Sequence, residues 1–341
     1  MTARRLFFVA GVILVAAGLV WCAMRWPSQK QFVVVYVSED QIFSEPILKD
    51  FQRDTKIAVQ AVYDTEETKS TGVMNRLLAE KENTQADVYW ANEPIRAEVL
   101  KQKGLCQPYC SPSALDIPDG FKDADHDWTG FSARARVLLC KKGLERKPVS
   151  ILAYTDARWK GKSAIADPLF GTTTTQVAAL FVLWGDERAR RFLDRMKENQ
   201  VKVTSSNGES ADLVASGAVD FSLVDSDDGA NRMRQGRSVE IIFPDQGADE
   251  IGTLVLPNVA ILLHGAPHPD NAKRLIDYLL SRETEKKLAF ADCAQIPLHP
   301  GVEIPKDIPK IQALKVLPLD YAKVARKLQQ IQGALKAWVG T

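Results

Sequence analysis

The run Leu223-Val224-Asp225-Ser226-Asp227-Asp228 sets three carboxylates within four residues at the end of an apolar stretch. Carboxylates are hard oxygen ligands suited to a metal cation, and the same charges can hold an ammonium group. A cap on the helix that follows, Ala230 to Gln235, is the other reading of one of them. A second stretch has the opposite preference. Ser163 to Ala166 reads as a short buried strand, a turn bearing Pro168 and Gly171 ends it, and the hydroxyls of Thr172 to Thr175 stand at the start of an apolar helix, Gln176 to Trp184. A helix N-terminus with free amides and nearby hydroxyls suits an anion or a polar ligand. Threonines there also serve as plain caps.

These residues need elements to carry them. Val33 to Val37 is an apolar run, and a helix beginning at Pro46 carries Ile47, Leu48 and Phe51 at helical spacing. Ile57 to Tyr63 alternates as a strand does, Gly72 to Lys81 is helical, Ala86 to Trp90 is a strand, and Gly104 stops a helix over Arg96 to Lys103. The same alternation resumes with strand Val137 to Cys140, strand Ala164 to Ala166, helices Gln176 to Trp184 and Glu187 to Glu198, strand Val201 to Thr204, helix Ser210 to Ala215 and strand Phe221 to Val224. Such alternation predicts an α/β fold of two lobes, each a mainly parallel, doubly wound sheet. Open sheets of this kind bind ligands beyond the carboxyl ends of their strands. That rule selects Ser38, Glu39 and Asp40; Asp64, Thr65 and Glu66 with the helix start Ser70-Thr71-Gly72; and Asn92 with Glu93. On the second side it selects Gly171, Thr172, Thr173 and Thr174; Ser205, Ser206 and Asn207; and Asp225 to Asp228. Each alone reads equally as a solvated turn, but together they stand at the ends of successive strands. Asp320 to Trp338 reads as a helix with Val324, Leu328, Ile331 and Leu335 on one face.

Length and charge agree with this division. A chain of 341 residues exceeds the usual single core of about 250–300 residues. With 44 basic and 43 acidic residues there is no basic field for nucleic acid. Catalysis has no footing in the motifs: there is no Gly-x-Ser-x-Gly elbow, no His-Glu-x-x-His and no P-loop, and His126, His264, His268 and His299 have no zinc-like spacing to the cysteines. Cys106, Cys110, Cys140 and Cys293 read as scattered thiols, although Cys106 and Cys110 are near enough to close a loop. At the N-terminus, Arg4-Arg5 precedes an uncharged run from Leu6 to Met24, at the lower end of the roughly 17–25 residues of a bilayer span and longer than a signal core of about 7–15. Export follows, with Lys30 onward outside the cytoplasm. Retention as an anchor, cleavage as a signal peptide and acylation at Cys22 all stay open, and Trp21 stands where a small residue normally precedes an acylated cysteine.

The pattern Trp159-Lys160-Gly161-Lys162, strand, Ala166-Asp167-Pro168, then Gly171-Thr172 resembles the second-lobe signature of bacterial family 1 extracellular solute-binding proteins, the capture subunits of ABC importers, especially their ferric-iron branch. Ala86-Asp87-Val88-Tyr89-Trp90, Gly104-Leu105 with Pro108-Tyr109 and Ser111-Pro112, Trp128-Thr129-Gly130-Phe131, and Gly265-Ala266-Pro267-His268-Pro269 follow in that family's order, over roughly residues 33–302. The resemblance implies a type II periplasmic binding protein-like fold of two doubly wound lobes joined by hinge strands. Its divisions would be an N-terminal segment 1–29, a first lobe 30–133, a second lobe 134–256, a return to the first lobe over 257–305, and a C-terminal helical part 306–341. It implies a monomer that holds no cofactor, captures a small solute between its lobes and delivers it to a membrane permease and ATPase. Iron(III) as the transported ligand is the first expectation, with a companion anion at the Thr71 and Thr172 helix starts. A phosphorylated or amine-bearing small molecule is the alternative, as is an anchored sensor domain using the same cleft. Ferric-binding relatives end the matching strand in adjacent tyrosines whose phenolates hold the iron. Here Asp227 and Asp228 occupy that place, so the metal set expected on this chain is Asp225, Asp227 and Asp228.

Overall fold

The structure is a computed structural model that describes residues 31–64 and 71–340. In the first part of the chain, β1 (Phe32–Val37), β2 (Ala58–Tyr63) and β3 (Val88–Ala91) lie in the order β2-β1-β3, all parallel, with α1 (Gln41–Thr55), α2 (Thr71–Ala79) and α3 (Pro94–Gln102) between and after them. Crossovers of this kind cover a parallel sheet with helices. Helix α1 starts five residues before Pro46. The missing amide falls in the second turn, and the carbonyl it leaves belongs to Ile42, in an exposed part of the helix.

The second part repeats the plan. β5 (Ser163–Ala166) runs parallel between β7 (Phe221–Asp225) and β6 (Lys202–Thr204), with α4 (Gly171–Trp184), α5 (Asp186–Glu198), α6 (Asn207–Ala215) and α7 (Ser226–Arg234) as its helices. Helix α4 begins at Gly171, so the four threonines form its first turns instead of preceding it. Helix α7 likewise begins at Ser226, which puts Asp227 and Asp228 in its first turn and Asp225 at its cap position.

Two long antiparallel strands join the halves. β4 (Thr129–Lys141) pairs with β9 (Val255–Leu262) over Thr129 to Ala135, then with β7 over Arg136 to Cys140, while β8 (Val239–Ile242) lies on its other side. One hydrogen-bonded path therefore runs through both lobes. The expected strand of Val137 to Cys140 is only the end of β4, because Arg134 and Arg136 interrupt the apolar run and yet are buried. Gly130 permits the close pairing: a Cβ there would meet the Phe121 carbonyl oxygen at 2.6 Å and Pro257 at 3.0 Å. After β9, α8 (Pro269–Leu279) and α9 (Arg282–Phe290) return to the first lobe.

The last helix, α10 (Tyr321–Val339), is capped by Asp320, which accepts from the Lys323 amide at 2.9 Å. Its apolar face lies against α3 of one lobe and α4 of the other. Trp338 Nε1 donates to the Leu193 carbonyl at 2.9 Å, and Tyr321 meets Trp128 edge-on. Cys106, Cys110, Cys140 and Cys293 are free thiols. Among the described residues no helix is long and apolar enough to cross a membrane; the segment 1–29 and Cys22 lie outside them.

Candidate functional site

Strand polarity brings helix starts together. The ends of β3, β5, β6 and β7 open into a cleft of about 1010 Å³ between the lobes. The N-terminal ends of α2, α3, α4, α6 and α7 all contribute residues to its wall, so backbone amides and positive helix ends converge there. Gly72, Asn92, Glu93, Gly171, Thr172, Thr173, Ser206, Asn207, Asp225, Asp227 and Asp228 line the cleft. Ser38, Glu39 and Asp64 are not on that wall. The Ser38 hydroxyl is turned inward to Tyr89 at 2.9 Å and to Asp64 at 3.3 Å, and Glu39 is buried against Gln295. Thr65 and the Thr71 side chain lie outside the described residues.

Residues absent from the expected set organise this wall. Arg136, on β4, has only 1 % of its surface exposed. Its Nη1 donates to Asp225 Oδ1 at 2.9 Å, Thr172 Oγ1 at 3.0 Å and Asn207 Oδ1 at 3.1 Å, and its Nη2 donates to Thr173 Oγ1 at 3.1 Å. Asp225 accepts further from Thr172 at 2.8 Å and from the Asn207 amide at 3.1 Å. Burial alone would raise its pKa, but Arg136 and then Arg134 outweigh burial and hold it below the usual carboxylate range. Asp225 is therefore an ionised anchor that fixes two threonines and an asparagine.

Asp227 and Asp228 behave differently. Burial first, then the neighbouring carboxylates, push Asp227 up to about 6 and Asp228 up to about 8, although about a fifth to a quarter of each side chain still reaches solvent. Their guanidinium neighbours are more distant: Arg134 lies 3.8 Å from Asp227 and Arg232 lies 3.8 Å from Asp228. Oxygens of Asp225, Asp227 and Asp228 come within 4.8 Å of one another, a spacing that one cation can span. Among the described residues the other such group, Asp123, Asp125 and Asp127, already surrounds the Lys101 ammonium at 2.7 to 3.6 Å.

Contacts also cross between lobes. Thr175 Oγ1 donates to Glu93 Oε2 at 2.7 Å, and Arg134 Nη2 donates to the Asn92 carbonyl at 2.6 Å while facing Asp227. From α10, Leu328 and Gln332 reach the same wall. The one sequence signal for the arginines is their spacing: two charges at i and i+2 on one face of an otherwise apolar strand.

Comparison with known proteins agrees with the fold. The sequence profile of bacterial extracellular solute-binding proteins matches residues 93–324. Iron uptake protein A2 of Synechocystis is 25 % identical over 95 % of this chain and 94 % of its own. Iron-bound HitA from Pseudomonas aeruginosa superposes with a TM-score of 0.79 at 22 % identity, over 89 % of this chain and 99 % of that one. The periplasmic binding protein AfuA from Actinobacillus pleuropneumoniae, solved with fructose 6-phosphate, superposes with a TM-score of 0.75 at 23 % identity, over 90 % of this chain and 99 % of that one. The fold is thus the two-lobed type II periplasmic binding protein fold, and the chain belongs to the bacterial extracellular solute-binding proteins.

Proposed function

We propose that this chain is the exported, noncatalytic capture component of an ABC importer, that its solute is iron(III) bound together with a companion anion, and that it delivers this to a permease and ATPase pair. The observation that carries the reading is the juxtaposition in one cleft of three carboxylates within 4.8 Å of one another with the starts of α4 and α6. The carboxylates suit a hard cation, and the helix ends suit the anion that offsets its charge. Lobe divisions near residues 133 and 256 put all of these groups in the second lobe, across the cleft from Gly72, Asn92, Glu93 and Arg96 of the first, so a solute that reaches both walls draws the lobes together. The apolar segment 1–29 would export the chain and, if retained, tether it.

A specific observation favours a second solute class. Among the described residues no tyrosine lines the cleft, whereas Arg96, Arg134 and the hydroxyls of Thr172, Thr173 and Ser206 do. A phosphate ester or phosphonate at the helix starts, with an ammonium or hydroxyl on Asp227 and Asp228, uses every one of these groups. Thermal unfolding separates the readings. Ferric citrate should raise the midpoint with concentration as mass action requires, and Asp227→Asn with Asp228→Asn should abolish that rise while leaving the unliganded midpoint equal or higher. Stabilisation by fructose 6-phosphate or 2-aminoethylphosphonate without any response to ferric citrate would replace the first reading with the second.

A further inference from the structure

Four buried side chains, Glu39, Gln295, Asn258 and Trp90, form one hydrogen-bonded series between the cleft and the crossing strands. Gln295 Nε2 donates to Glu39 Oε1 at 3.0 Å, and Gln295 Oε1 accepts from Asn258 Nδ2 at 2.9 Å. The same Asn258 nitrogen donates to the Ser132 carbonyl at 2.6 Å, and Asn258 Oδ1 accepts from Trp90 Nε1 at 3.1 Å. The ends fix its direction. An indole N–H only donates and the Ser132 carbonyl only accepts, so Asn258 cannot turn over without breaking bonds, and its amide nitrogen in turn holds the Gln295 oxygen toward it. Both strands that join the lobes are tied into it, β9 through Asn258 and β4 through Ser132.

Ser132 is where β4 leaves regular geometry. The register shifts between Phe131 and Ala133, and Ser132 has a φ of 39°, in the left-handed region. Its hydroxyl is buried with no hydrogen-bond partner among the described residues. A non-glycine residue in that region and an unpaired buried hydroxyl both raise the free energy of this arrangement. It persists because neighbours hold it: the Ser132 amide donates to Glu285 Oε1 at 2.8 Å, and Ala133 exchanges two backbone hydrogen bonds with Ile296.

We propose that this series couples solute occupancy to lobe closure, with Gln295 and Asn258 as positioning residues that aim Glu39 and hold Ser132 in its strained form. The inference rests on the two-lobed capture reading and is independent of which solute is carried. Glu39 lies 3.8 Å from Arg134, whose guanidinium lies 3.8 Å from Asp227 of the other lobe. Charge arriving between the lobes changes the attraction on Glu39, and two amides transmit that change to the strained residue of the crossing strand. Ser132 is then the two-state element that the cleft biases.

The test uses the unliganded full-length chain, which keeps it separate from the identity of the solute. Single-molecule energy transfer between labels on one exposed residue of each lobe reads the inter-lobe distance. Gln295→Met keeps the side chain's length but cuts the series, and should raise the minor population at least three-fold. Adding Ser132→Gly, which removes both the left-handed penalty and the unpaired hydroxyl, should return that population to the wild-type level. An unchanged distribution in Gln295→Met, or a double variant no different from the single one, overturns the proposal. If Gln295→Met does not fold, Ser132→Gly alone decides through hydrogen exchange: the Ala133 and Ile296 amides should exchange at least three-fold more slowly than in wild type, and an unchanged rate overturns it.

Discussion

Arg136 holds Asp225, Thr172, Thr173 and Asn207 through one guanidinium, so its loss should register in both stability and binding. Arg136→Met leaves Asp225 buried without its hydrogen-bonded counter-charge, and chemical denaturation should show a cost of about 3–5 kcal/mol. Adding Asp225→Asn should recover part of that stability while binding stays lost, because the threonines remain unanchored. A double variant no more stable than the single one would remove the ion pair as the cause. The other two carboxylates predict a pH effect. The folded values of about 6 for Asp227 and about 8 for Asp228 lie above the roughly 3.9 of an unfolded aspartate, so the folded chain binds more protons than the unfolded chain between them. Their contribution to stability is greatest in the protonated form and declines as pH rises through about 6 and then about 8. The unliganded unfolding midpoint should therefore fall across this interval, and the Asp227→Asn, Asp228→Asn variant should flatten the profile. Cation affinity should rise over the same interval, since the cation displaces these protons. The residues at strand ends, among them Thr172, Asn207 and Asp227, were legible in the sequence because turn and cap residues follow apolar runs there. Arg136 was not, because its burial is decided by partners 36 to 89 residues away that only the fold assembles.

Among the elements, β4 and α10 carry most of what links the lobes. The alternation of short apolar runs with amphipathic stretches made most helices and strands readable, but β4 was read only in part, since its arginines look like the end of a strand when their partners are unknown. Helix α4 was read as starting at Gln176 for a related reason: threonine is a common cap, and here Thr172, Thr173 and Thr175 are instead held inside the helix by Arg136 and Glu93. The C-terminal helix was legible as a helix from Val324, Ile331 and Leu335, but no periodicity indicates that its apolar face is shared by two lobes. Leu335 has no exposed surface. Leu335→Ala should cost about 2–5 kcal/mol in urea unfolding, the range for a buried leucine that leaves a cavity. A cost under about 1 kcal/mol would mean that α10 is only loosely docked.

At the scale of the whole molecule, the cleft matters because its walls belong to different lobes joined by two crossing strands and one shared helix. A solute that touches Asn92 and Glu93 on one side and Thr172, Asn207, Asp227 and Asp228 on the other gains its second set of contacts only when the lobes approach. The most direct measurement of that claim is small-angle scattering of the full-length chain titrated with ferric citrate, with bound iron assayed in the same samples. The radius of gyration should fall as iron binds to the wild type, and neither binding nor compaction should occur with Asp227→Asn and Asp228→Asn. Absence of bound iron in the wild type, iron bound with no change in radius, or equal compaction in the double variant would contradict the account.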